Sequence, residues 1–101
     1  MIMTGKERAQ LRAEANRLSA TVHVGHHGAD DAAVRSLDDV LRTHELVKVS
    51  LSKNAEMKPK ELARQLAVST RSEVIQVIGR TATFYRHNPD IKRKDGKPPW
   101  L

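Results

Sequence analysis

Val22-His23-Val24-Gly25-His26-His27-Gly28-Ala29-Asp30-Asp31 is the stretch where the chain changes its period. Before Gly25, apolar and polar residues alternate, the pattern of a half-buried strand. Two glycines then enclose two polar residues, and Asp30 stands where an N-cap carboxylate accepts from the first turn of a helix. Strand, tight turn and helix in that order place the chain in the α/β class. Glycine has no Cβ, so another backbone can approach the loop closely. The helix behind it aims unpaired N–H groups and the positive end of its dipole at the same place. That arrangement suits a phosphate.

Downstream, Ala33, Val34, Leu37, Val40 and Leu41 form one helical face, with His44 at its C-terminal end. Leu46 to Leu51 alternates, so Val47, Val49 and Leu51 face one way and Lys48 and Ser50 the other. A polar connection, Ser52 to Met57, leads to Pro59 in the first turn of a third helix. Leu62, Ala63 and Leu66, with Ala67 or Thr70, give that helix its buried side. Glu73 to Ile78 is rich in β-branched residues. Gly79-Arg80 then predicts a two-residue type II′ turn, and Thr81 to Arg86 returns as a strand.

Upstream, Thr4-Gly5-Lys6-Glu7 is a capping-box pattern. Leu11, Ala15 and Leu18 follow at i, i+4 and i+7, a helix ending near Ser19, with Ala20 to Val24 as the first strand. The order is α-β-α-β-α-β-β. It predicts a four-stranded mixed sheet with three helices packed on it, parallel crossovers where helices separate strands, and a terminal antiparallel hairpin. One domain spans residues 4–87. Residues 88–101 form a basic tail without apolar periodicity, broken by Asn88-Pro89 and Pro98-Pro99, and the expectation is that it is mobile.

The 101 residues fit one domain, and 39% are hydrophobic, enough for one small core. Absence of cysteine excludes disulfides and thiolate metal sites. No apolar run nears the roughly 20 residues of a membrane span, and the N-terminus lacks a signal-peptide core, so a cytoplasmic protein is expected. Net charge is +6, and its placement is uneven. Residues 1–50 carry seven Lys/Arg against seven Asp/Glu, whereas residues 51–101 carry eleven against five, hence all of the excess. Such a surface calls for a polyanionic partner.

Val24-Gly25-His26-His27-Gly28, His44-Glu45-Leu46-Val47-Lys48-Val49 and Val77-Ile78-Gly79-Arg80-Thr81 running on to Phe84-Tyr85-Arg86 have the order and spacing of a known family. Together they resemble YhbY-like proteins of the CRM domain (chloroplast RNA splicing and ribosome maturation), over residues 4–87. The resemblance implies a stand-alone bacterial RNA-binding domain, with a fold similar to the C-terminal domain of a translation initiation factor. It implies association with precursors of the large ribosomal subunit, and hence a role in ribosome biogenesis through rRNA. The family's loop is likened to the GxxG loop of KH domains, which clamps nucleic-acid backbone. By position that role falls on Gly25, His26, His27 and Gly28, with Lys48 and Arg80 at basic positions of the other blocks.

Family loops often carry Lys between the glycines; here both central residues are His, a side chain ordinarily mostly neutral at pH 7. Asp30 and Asp31 would oppose a phosphate unless capping turns them away. Arg86, Lys6, Arg8 and Arg12 are further candidate contacts, and Lys92, Arg93 and Lys94 in the tail add sequence-independent attraction. Recognition is expected to be of shape and backbone, since only Phe84, Tyr85 and Trp100 offer stacking rings.

Two other readings use the same residues. His23, His26 and His27 suggest a metal site, but alternation aims His23 elsewhere and adjacent His26 and His27 diverge unless the loop folds back. An exposed sheet edge or Trp100 suggests a protein-interaction module. No serine lies in a nucleophile motif and no Gly-Lys-Ser/Thr follows the glycines, so no catalysis, cofactor, metal or small-molecule substrate is expected. The expected state is a monomer.

Overall fold

A computed structural model describes residues 4–55 and 57–88. Lys92, Arg93, Lys94, Trp100 and the rest of the tail from residue 89 lie outside the described residues. Along the chain run α1 (Gly5–Ala15), β1 (Val22–Val24), α2 (Asp31–Thr43), β2 (Leu46–Leu51), α3 (Pro59–Thr70), β3 (Glu73–Ile78) and β4 (Thr81–Tyr85). This is the predicted order and class, with one four-stranded mixed sheet.

The sheet order is β1-β2-β4-β3. β1 pairs with β2 in parallel, and β4 is antiparallel to both β2 and β3. β3 therefore runs parallel to β2 but is not its neighbour, because the last strand inserts between them. The reason is burial. Ala82, Thr83, Phe84 and Tyr85 are all buried, so β4 has no face for water and takes the centre, whereas β3 ends in exposed Ile78 at an edge.

α2 and α3 cover one face, where Leu37, Leu41, Leu62, Leu66, Val47, Val49 and Phe84 form the main core. α1 covers part of the other face, where Leu11 packs with Ile75 and Tyr85, with Leu46 alongside. A bulge between Val74 and Gln76 lets Ile75 and Gln76 both serve the α1 side, since Gln76 Nε2 donates to Asn16 Oδ1 at 3.4 Å.

Two boundaries differ from the expectation. α1 stops at Ala15 rather than near Ser19, and β1 is confined to Val22–Val24. The chain after Ala15 tightens into i→i+3 bonds, Arg17 N–H to Glu14 O and Leu18 N–H to Ala15 O, both 3.0 Å. Lys48 Nζ then reaches across from β2 to Ala15 O at 3.4 Å and Leu18 O at 3.3 Å, a cation on the negative end of the helix. The predicted caps are present: Glu7 N–H donates to Thr4 Oγ1 at 3.1 Å, and Ala33 N–H to Asp30 Oδ1 at 2.8 Å. Gly79 has φ +56 and Arg80 a negative φ, as a type II′ turn has.

β1, β2 and β3 all point their carboxyl ends the same way. One end of the sheet, called here the loop end, thus collects the Gly25–Gly28 loop, the 52–58 connection, the N-termini of α2 and α3, and the Gly79-Arg80 turn. The far end holds the C-termini of both helices and the start of β2 and β3. Among the described residues, no helix is long and apolar enough to cross a membrane.

Candidate nucleic-acid interface

The Gly25–Gly28 loop closes on itself, with Gly28 N–H donating to Gly25 O at 3.0 Å. The two glycines have different constraints. Gly28 sits at φ +67, and a Cβ there would meet Leu62 Cδ1 of α3 at 3.3 Å. At Gly25 a Cβ would meet nothing within 4 Å, so this position leaves open space for a ligand. His26 and His27 are exposed, and their rings lie 3.9 Å apart between centroids at a tilt of 41°. They do not diverge, because the turn brings both rings to one side. With Gly28 and Met57 they line an open depression of about 420 Å³. Among the described residues, no three His, Cys, Asp or Glu side chains are arranged to hold a metal.

Asp30 directs one carboxylate oxygen back to its own helix, while Asp31 is exposed in the first turn.

Arg80 lies beside this loop through two main-chain bonds and one from its side chain. Leu51 N–H donates to Arg80 O at 2.7 Å, Ser52 N–H donates to Val24 O at 2.9 Å, and Arg80 Nη1 donates to Ser52 O at 3.4 Å. Its side chain is exposed and has no carboxylate partner among the described residues.

Three further exposed cations sit at the same end: Lys53, Lys58 and Lys60. Composition locates the charge in the second half of the chain without distinguishing these lysines from the others there. A signal was present. Lys58 is the N-cap of α3 and makes no side-chain cap bond, at a position where Ser, Thr, Asp or Asn is favoured. Lys58 and Lys60 also place positive charge at the positive end of a helix, which the helix itself disfavours.

Other predicted contacts lie elsewhere. Lys48 is half-buried on the carbonyls that end α1. Arg8 Nη2 pairs with Glu73 Oε2 at 2.9 Å, and its Nη1 donates to Val74 O at 3.3 Å. Arg86, only 21% exposed, donates from Nη1 to Asp38 Oδ1 at 2.6 Å and Thr70 O at 2.8 Å, and from Nη2 to Asp38 O at 3.2 Å. The hydrogen bond from Arg86, with Arg42 adding to it, holds the Asp38 carboxyl below the usual carboxylate range despite some burial. Lys6 and Arg12 are exposed on α1, away from the loop and without an ion pair among the described residues.

Phe84 and Tyr85 are buried, so neither ring is offered to a base. Burial, with the Glu7 charge added, pushes the Tyr85 hydroxyl up to about 12.

Residues 3–86 match the family model of the CRS1 / YhbY (CRM) domain. The chain is 32% identical over 92 residues to "Probable RNA-binding protein YqeI" of Bacillus subtilis, covering 91% of this chain and 96% of that one. It is 29% identical over 89 residues to "Probable RNA-binding protein PA4753" of Pseudomonas aeruginosa, covering 88% and 86%. Among solved structures it resembles SAV1595 of Staphylococcus aureus, a candidate RNA-binding protein, with a TM-score of 0.78, 34% identity, and coverage of 97% and 100%.

Proposed function

The chain belongs to the CRS1 / YhbY (CRM) domain family, and on that premise we propose that it is a non-catalytic RNA-binding protein whose contact surface is the loop end of the sheet. The observation that carries this reading is one of placement. An open turn, two helix N-termini and four exposed cations, Arg80, Lys53, Lys58 and Lys60, meet at one end of the molecule. Gly25 and Gly28 let RNA phosphates approach the loop backbone, and His26 and His27 supply hydrogen bonds or stacking. Lys6, Arg12 and the tail residues Lys92, Arg93 and Lys94 add longer-range attraction. Lys48, Arg8 and Arg86 act first on the fold, and they shape the RNA surface through it.

The RNA is that of the large ribosomal subunit precursor, and the protein assists its assembly as a cytoplasmic monomer. Family membership and the names of the relatives support RNA as partner; the ribosomal target follows from the family resemblance. Sedimentation of cell extract with detection of this protein tests the reading. Co-migration with a large-subunit precursor, lost in high salt, is the expected result. Migration with free protein at low salt would overturn the ribosomal assignment.

A further inference from the structure

Arg71 occupies a position where glycine is at home. It follows α3 in the left-handed conformation, φ 56 and ψ 42, and is the one non-glycine residue with positive φ among the described residues. Its N–H donates to Val68 O at 3.4 Å and Ser72 N–H to Ala67 O at 2.9 Å, the bond pair of a Schellman ending. A Cβ in this conformation crowds the backbone, so the fold itself would be better served by glycine. What Arg71 adds in return is an exposed cation with no carboxylate partner among the described residues.

That cation borders an open depression of about 330 Å³, lined by Arg71, Ser72, Glu73, Tyr85, Arg86 and His87 at the far end of the sheet. Two of the nearby carboxylates have cation partners, and one of them, Glu73, is part of the lining. Glu73 pairs with Arg8 at 2.9 Å, and Asp38 pairs with Arg86 at 2.6 Å and Arg42 at 3.0 Å. Arg86, which also lines the depression, is held in place by Asp38 and Thr70 O, whereas Arg71 is exposed. An exposed arginine with a second arginine in the lining suits a phosphate, which accepts from the planar N–H pairs of a guanidinium.

We propose that this depression is a second phosphate-contact site, centred on Arg71, which takes a backbone phosphodiester of the RNA bound at the loop end. The inference rests on the RNA reading above. It makes the far end a separate anchor, so that a bound RNA runs the length of the sheet.

The test compares wild type, Arg71→Gly, Arg71→Lys and Gly25→Ala in binding to one RNA hairpin with single-stranded flanks across a salt series, with thermal melts of each protein. Arg71→Gly is expected to melt a few degrees higher, since the strain is relieved, while log K against log[salt] becomes about 0.7–0.9 shallower for the one phosphate no longer neutralised. Arg71→Lys is expected to keep the wild-type slope. An unchanged slope in Arg71→Gly, with binding weakened by Gly25→Ala, would overturn the second site and leave the loop-end reading standing. A lower melting temperature in Arg71→Gly would show Arg71 serving the fold and also overturn it. No RNA binding by wild type at low salt would remove both readings. Inorganic phosphate at millimolar concentration should compete with the Arg71-dependent part; competition that is equal in Arg71→Gly would place the anion elsewhere.

Discussion

The two ends of the sheet hold the same kinds of residue and use them in opposite ways. At the far end, Arg86, Arg42, Asp38, Glu45, His87 and Asn88 are joined to one another and to helix carbonyls. Charge there ties β4 to the C-termini of α2 and α3. At the loop end, Arg80, Lys53, Lys58 and Lys60 are exposed, and Lys58 sits where it weakens a helix cap. A cation paired within the fold is already engaged. An exposed one without a carboxylate partner among the described residues, whether Arg71 or the lysines set against the α3 dipole, is open to an external anion. The contrast, more than net charge, separates architecture from interface.

Substitutions at the two ends should therefore differ in kind. The largest effect is expected at the far end. Arg86→Ala removes the main partner of Asp38 and uncovers Thr70 O, at a cost of about 2–4 kcal/mol in denaturant unfolding. A loss below about 0.5 kcal/mol would mean that the far end is no lock. Next is the loop itself, where the two glycines should split. Gly28→Ala meets a positive φ and Leu62, and should cost about 1–2 kcal/mol. Gly25→Ala should leave stability within about 0.5 kcal/mol. Both should weaken RNA binding, so Gly25→Ala is the cleaner probe; unchanged binding there would make the loop only a turn.

Lys58→Ser should run the other way, adding an N-cap worth about 1 kcal/mol while weakening RNA binding. Unaltered binding would return Lys58 to the ordinary solvent-exposed lysines. The smallest effect is in acid. Asp38 is held below its ordinary value of 3.8, so its contribution is present above that pH. It is lost as pH falls through the lower folded value. Asp38→Asn should accordingly be less stable near neutrality and show a flatter decline below about pH 4. Parallel acid limbs in the two proteins would contradict the pairing with Arg86.

Much of the fold was legible because local signals agreed. The Thr4 and Asp30 caps, the alternation of Leu46 to Leu51 and the Gly79-Arg80 turn each specify one local geometry, and each is present. Insertion of β4 between β2 and β3 was not legible, since strand order depends on which strand is buried on both faces. The short α1 was missed for a similar reason: Leu18 keeps the helical spacing, but a lysine thirty residues away takes the carbonyls that would have continued the helix.

Site residues divided along the same line. The Gly25–Gly28 turn and the Gly79-Arg80 turn were each legible as local geometry, but their proximity was not, since it depends on β4 pairing with β2. The internal engagement of Lys48, Arg8 and Arg86 was not legible either, because each partner is distant in sequence. Lys53, Lys58 and Lys60 gain meaning only once the parallel run of β1 and β2 places the 52–58 connection beside the loop.

The most direct test of the loop-end interface is the salt dependence of RNA binding by a protein carrying Lys53→Ala, Lys58→Ala, Lys60→Ala and Arg80→Ala together. Four RNA phosphates would then go unneutralised, and log K against log[salt] should become shallower by about 3, while the protein still melts cooperatively near the wild-type temperature. A slope equal to that of wild type, from a protein that remains folded, would contradict the assignment of RNA to this end of the sheet.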